Sequence, residues 1–120
     1  MEPVVQVGPG FITFGTQHTR DLRIVDPRAS FTLEEVVTWS AYMSEPVNSA
    51  KVTIRVFKVD PTAEGGQRLI SESGVRPIVS GAQRFLRRVK PAEVLDGPGV
   101  YVVRYMRDET VLSEGSFRVD

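Results

Sequence analysis

Apolar residues recur at every second position in short runs along this chain, and no segment sustains them at helical spacing over ~11 residues, which is the signature of half-buried strands. GFITFGT (Gly10 to Thr16) is the first such run. DLRIVD (Asp21 to Asp26) is a second, ended by Pro27, which cannot donate to a ladder. The longest run, Phe31 to Pro46, sets Val37, Trp39, Ala41 and Met43 on one face, expected to be the core, and Thr38, Ser40 and Tyr42 on the other. Val52, Ile54 and Val56 then alternate with Thr53, Arg55 and Phe57, and Asp60–Pro61 opens a glycine-rich turn through Gly65 and Gly66. RLISES and RPIVSG read as short edge strands, with Pro77 fitting an edge. In QRFLRRVKPAEVL, Phe85, Leu86 and Val89 share no single strand face, which predicts a bulge or a strand passing into a short helical turn near 91–95. A hairpin closes the chain. Tyr101, Val103 and Tyr105 alternate with Val102, Arg104 and Met106, a tight turn follows at Asp108–Glu109, and the return strand points Val111, Phe117 and Val119 inward.

Seven to nine short strands without helical crossovers predict an all-β fold in which two antiparallel sheets pack as a sandwich. Residues 1–9 are expected to be a linker or flexible N-terminal segment and residues 10–120 the domain, since 120 residues suit one core. The mix of 41% hydrophobic and 25% charged residues is that of a globular chain. Fifteen basic and fifteen acidic residues cancel, so there is no global positive field and no nucleic-acid partner is expected. No stretch approaches the ~18 apolar residues of a spanning helix, and no membrane insertion is expected. MEPVVQVGPG lacks the basic start and apolar run of a signal peptide; VGPGF reads like a linker feeding a strand, which suggests an extracellular or cell-envelope module of a longer chain. The absence of cysteine excludes disulfides and thiolate zinc sites.

Leu95 precedes Tyr101 by six residues in PAEVLDGPGVYVVRY, a lone Trp39 sits on an early core strand, and the last strand ends in Gly115-Ser116-Phe117-Arg118-Val119. This set resembles the penultimate-strand corner of immunoglobulin-like and fibronectin type III-like domains, without the cysteine pair of antibody domains. The resemblance implies a β-sandwich module of a bacterial protein, with Trp39, Leu95, Tyr101 and Phe117 as structural residues. It also implies that the Tyr101 hydroxyl turns back onto the corner, because a buried phenol left unpaired costs roughly 1–3 kcal/mol.

Candidate chemistry is sparse. His18 and Asp21 could form an acid–base pair, but no serine or cysteine nucleophile motif flanks them, and the carboxylates are scattered. Gly8-Pro9-Gly10 and Gly97-Pro98-Gly99 are turns with no phosphate-binding helix behind them. Arg84, Arg87, Arg88 and Lys90 form a basic strip, expected to be a solvated strand balanced by Glu93 and Asp96. No catalytic, cofactor-binding or metal-binding residue is predicted, and the chain reads as a non-enzyme. Its functional signal is apolar residues on an outward face: Phe57, Val102 and Met106 beside Arg55 and Arg104, joined by Leu112. The expected role is an interaction or spacer module that binds a protein partner or an adjacent domain of the same chain, with a weak homodimer as its self-associated form; recognition is expected at that face or at the loops SEPVNSA and DPTAEGGQ. Two alternatives are a proteinase inhibitor acting through a loop such as DPTAEGG and a carbohydrate-binding module using Tyr42 and Phe57.

Overall fold

The computed structural model describes residues 10–44, 51–75 and 83–120, in which the alternating runs become eight strands. In chain order these are β1 (Gly10–Gly15), β2 (Ser30–Phe31), β3 (Val37–Tyr42), β4 (Val52–Val59), β5 (Gln67–Val75), β6 (Arg84–Val89), β7 (Gly99–Arg107) and β8 (Thr110–Val119). A 3-10 turn at Glu64–Gly66 joins β4 to β5, and a short helix α1 (Pro91–Val94) joins β6 to β7. Hydrogen bonding runs unbroken through β5-β4-β7-β8-β1-β3-β6, with β2 paired to β8. This path curls on itself: a pocket of about 60 Å³ is lined by Ser71 and Ser73 of β5 together with Arg87 and Val89 of β6, the two ends of the path.

Alternation explains the filling of the interior. Ile54 and Val56, Trp39 and Ala41, and Tyr101 and Val103 all point inward and are buried. Phe117 is the hub, with ring centroids 4.9 Å from Phe14, 5.7 Å from Tyr101, 6.0 Å from Phe31 and 6.3 Å from Trp39. The one polar atom of Trp39, its indole N–H, donates to the Tyr105 hydroxyl at 3.0 Å. Burial pushes the Tyr105 phenol up to about 12. Gly115 lets β1 cross β8 closely, since a Cβ there would lie 2.8 Å from Cβ of Ile12 and 3.0 Å from its carbonyl oxygen.

Several expectations are corrected. Pairing is not purely antiparallel: β8 takes β7 along one edge, and β1 and β2 both run parallel to it along the other. Asp21 to Asp26 is no strand; only an isolated bridge joins His18 to Ile24. That segment lies over the outward side of β3, where Ser40 Oγ donates to the Leu22 carbonyl and Thr38 Oγ1 to the Thr16 carbonyl at 3.4 Å. Thr38 and Ser40 are therefore buried, although alternation points them away from the core.

The long run from Phe31 to Pro46 divides into β2 and β3 at a turn in which the Glu35 carboxylate accepts from the Thr32 amide at 2.9 Å and pairs with Arg28. β6 pairs with β3 in unbroken register from Val37↔Val89 to Tyr42↔Arg84, with no bulge; the expected helical turn is α1, begun by Pro91. Phe85 and Val89 pack against the core, whereas Leu86 does not. Bulges occur instead at Ile70 of β5 and Leu112 of β8, each an extra residue where the register shifts. RLISES forms part of β5, at one end of the path. RPIVSG with Pro77, the segment 1–9 and residues 45–50 of SEPVNSA lie outside the described residues.

Candidate interaction surface

The outward residues of β5, β4, β7 and β8 form cross-strand rows. One row is Leu69–Phe57–Val102–Ser116; the register shift at Ile70 sets Leu69 opposite Phe57. Val59, two residues beyond Phe57, and Val100, two before Val102, extend this apolar strip. Leu69 is 49% exposed, Val59 41% and Val100 40%. The neighbouring row is ionic, Glu72–Arg55–Arg104–Glu114. Arg55 pairs with Glu72 at 2.6 Å, and Arg104 pairs with Glu114. The two arginines face one another across the β4–β7 ladder, so each turns to a carboxylate on its other side. The Arg104 guanidinium also lies 5.0 Å over the Phe57 ring and donates to Gln67 Oε1 at 3.1 Å.

Four of the six residues expected on this surface, Phe57, Val102, Arg55 and Arg104, thus share one outward face. Met106 and Leu112 are the exceptions. Leu112, the extra residue of the β8 bulge, is fully buried in the interior cluster. Met106, beside that bulge and between Thr53 and Val111, is 7% exposed and cannot meet a partner. The sequence reading missed Leu69, Val59 and Val100. Alternation alone turns Val59 and Val100 outward; Leu69 needs the bulge at Ile70, which carries no sequence signal here.

Of the four residues expected to be structural, Trp39, Tyr101 and Phe117 are buried in the interior and Leu95 packs at its edge. Tyr101 is buried and its hydroxyl donates to the Gly97 carbonyl at 2.6 Å, with burial raising its pKa. Leu95 is half-buried against the core that Trp39 and Phe117 occupy. Gly97 has φ +68°, which suits glycine at this corner. Arg68 donates to the Asp96 carboxylate at 2.5 Å and Lys58 to the Asp96 carbonyl at 2.5 Å, tying the corner to β4 and β5. The Arg68 hydrogen bond, with Lys58 nearby, holds the Asp96 carboxyl below its usual value. Asp96 is therefore engaged away from the basic strip it was expected to balance.

The other candidate groups disperse. His18 Nδ1 contacts the Thr19 carbonyl at 2.7 Å, while Asp21 accepts from Thr19 Oγ1 and Arg23. The histidine and the carboxylate do not form a pair. Among the described residues no three His, Asp or Glu side chains converge on a common point. The DPTAEGGQ loop is a closed turn: the Asp60 amide donates to the Gly66 carbonyl at 2.9 Å, and its carboxylate accepts from the Thr62 amide at 3.0 Å and hydroxyl at 2.6 Å, which lower its pKa. Tyr42 and Phe57, the two candidate sugar platforms, lie on different faces. The neighbour of Tyr42 is Phe11, 5.6 Å away between ring centroids and 58% exposed.

No family model matches the chain, and no curated protein matches it in sequence. Among solved structures the fold is similar to an immunoglobulin-like protein from Pseudomonas aeruginosa, with TM-score 0.57 and 17% identity over 94% of this chain and 93% of that one. An alkylpurine DNA glycosylase from Pseudomonas fluorescens aligns at TM-score 0.46 and 18% identity, covering 92% of this chain and 29% of that one. A β-glucosidase from Erythrobacter marinus aligns at 0.41 and 16% identity, covering 92% and 16%. The immunoglobulin-like resemblance expected from the Leu95–Tyr101 corner is present at the level of the fold, and at these identities fold is all it carries.

Proposed function

We propose that this chain is a non-catalytic immunoglobulin-like module, a two-layer sandwich with β1, β3 and β6 in one layer and β5, β4, β7 and β8 in the other. On this reading it binds a protein partner or a neighbouring domain through the outward face of β5, β4 and β7. The observation that carries the reading is the apolar strip of Leu69, Phe57, Val102, Val59 and Val100. Bulky apolar residues gathered on an outward sheet face favour contact, because burying them removes apolar area from water at about 25 cal/mol per Å². The bordering charges support the same role. Arg55 and Arg104 are already neutralised within the sheet, so a partner meets an apolar strip with a polar rim and need not supply countercharges.

The test compares wild type with a Phe57→Glu/Leu69→Glu double variant whose circular dichroism is unchanged. Sedimentation over a concentration series reports self-association, and cross-linking from position 102 reports contact with a partner or an adjoining domain. Association and cross-links are expected in wild type and absent in the double variant. Identical behaviour of the two proteins by both measurements would overturn the reading.

A further inference from the structure

The outward face of β1, β3 and β6 differs from the apolar strip, and it carries a cleft of about 300 Å³. Thr13 and Ser40 form its floor, Phe11 one wall, and Ile24 and Pro27 the other, contributed by the segment that lies over β3. Its rim holds the guanidinium groups of Arg23 and Arg84. Phe11, Tyr42 and Arg84 make one cross-strand row, and the Arg84 guanidinium stacks 5.0 Å from the Tyr42 ring centroid. Arg84 also reaches Ser40 Oγ at 3.5 Å. Stacking holds the cation in place without consuming its outward N–H donors.

Charge pairing sets Arg84 apart from Arg23, the other cation of the rim, which is paired with Asp21. Arg23, Arg28, Arg55, Lys58, Arg68, Arg104 and Arg118 all have carboxylate partners. Among the described residues, Arg84, Arg87, Arg88 and Lys90 form no ion pair; Arg87 lines the interior pocket beside Trp39, which leaves Arg84 and Arg88 as the cations of β6 on the outward side. Arg84 and Arg88 alternate onto the same outward side as the cleft, about 13 Å apart at strand rise.

We propose that this cleft binds an acidic oligosaccharide: one sugar ring rests on Phe11, its hydroxyls reach Thr13 and the rim, its carboxylate meets Arg84, and the next acidic residues follow β6 toward Arg88. Each element selects a part of that ligand. An exposed aromatic wall takes the apolar face of a pyranose, a guanidinium takes a carboxylate in bidentate fashion, and a cleft of this volume takes a ring rather than a flat polyanion contact. The row of cations beyond the cleft favours an oligomer over a single sugar. This site lies on a different face from the proposed docking strip, and its test does not depend on that reading.

The experiment titrates the isotopically labelled chain with a short oligouronate, a neutral oligosaccharide of the same length and linkage, and an oligoglutamate peptide. The oligouronate is expected to shift the resonances of Phe11, Tyr42 and Arg84 and to bind about tenfold more tightly than either control. Arg84→Gln and Phe11→Ala should each weaken it about tenfold, whereas Leu69→Ala, on the other face, should leave it unchanged. Phe11 is exposed, so its truncation leaves the fold intact, and Phe11→Trp should preserve binding. The assignment is overturned by absent binding at millimolar oligouronate, by equal binding of the neutral sugar, by equal binding of oligoglutamate, or by shifts that map away from the cleft.

Discussion

The two outward faces are built from the same alternation and end up chemically opposite. On β5, β4 and β7 the outward arginines find glutamates in adjacent strands, Glu72 of β5 and Glu114 of β8, and Leu69, Phe57 and Val102 are left as an apolar row. On β1 and β3 the outward side chains are roofed by the segment from Thr16 to Pro27, which buries Thr38 and Ser40 and leaves a cleft at its margin. The difference lies both in what crosses over the sheet and in the strands themselves, since β1 and β3 carry no charged residue whereas β4, β5 and β7 carry several. A period-two pattern therefore specifies which side chains leave the core, while long-range packing decides whether they meet water, each other or a covering loop.

The largest perturbation should remove both faces at once. Phe117 touches Phe14, Phe31, Trp39 and Tyr101, so it joins β1, β2, β3 and β7 from its place on β8. Phe117→Ala is expected to cost about 3–5 kcal/mol through lost burial and the cavity left behind. In urea unfolding, probes on the two faces should then lose structure in one shared transition at lower midpoint. Two separated transitions, or a loss below about 1 kcal/mol, would mean that the faces do not share one interior.

A smaller change should affect only the roofed face. The Asp26 carboxylate accepts from the amides of Thr16 and Gln17 at 2.9 Å each and from the Thr16 hydroxyl, which fastens the roof where β1 ends. Those hydrogen bonds, led by the Thr16 side chain, lower its pKa from 3.8 to about 2. A depressed carboxyl pKa means that the folded state favours the ionised form. Its stabilisation is complete above the ordinary value of 3.8 and is lost as pH falls through about 2. Asp26→Asn should lower stability at neutral pH and flatten the acid limb between those values. Amide exchange should speed up around Thr16 to Ile24 and stay unchanged at Phe57 and Val102. Uniform acceleration across both faces would refute a local fastening.

The contrast also marks how far the chain was legible before its fold was seen. The strands β4 and β7, the pairing of β7 with β8, the corner at Leu95 and Tyr101, and the helical turn at Pro91 obey local rules of alternation, proline geometry and a spacing of six, and each is in place; within β8, Phe117 and Val119 face inward as expected but Val111 does not. Phe57, Val102, Arg55 and Arg104 share a face because β4 and β7 pair directly and without a register shift, so alternation within each strand suffices. Leu112 failed because a single inserted residue in β8 turns it inward and sets Val111 outward opposite Met106, and nothing in DETVLSEG announces it; Met106 keeps the outward facing of Thr53 opposite it and is nevertheless only 7% exposed. The roof over β3 failed for a different reason. DLRIVD has the composition of a strand, yet beyond its isolated bridge to residues 17–19 it is docked by Ser40 and by close approach of Ile24 to Gly15 rather than by a ladder to the sheet, and such contacts are invisible until β1 and β3 are adjacent.

The smallest expected effect belongs to the ionic row on the open face. Arg55 and Arg104 lie directly opposite, a like-charge arrangement that is unfavourable unless the flanking Glu72 and Glu114 draw the guanidinium groups apart. These side chains are between about a quarter and a half exposed, so solvent screens each pair and a single substitution should cost about 0.2–1 kcal/mol. Removing both carboxylates leaves two facing arginines uncompensated. Glu72→Gln with Glu114→Gln should therefore cost more than the sum of the single changes, and the excess should shrink as ionic strength rises toward the molar range. A double-mutant cycle in urea at low and high salt reads this directly. Strict additivity, or a coupling that persists in molar salt, would mean that the two pairs act independently and that the apolar row beside them, rather than charge, holds β4 and β7 in register.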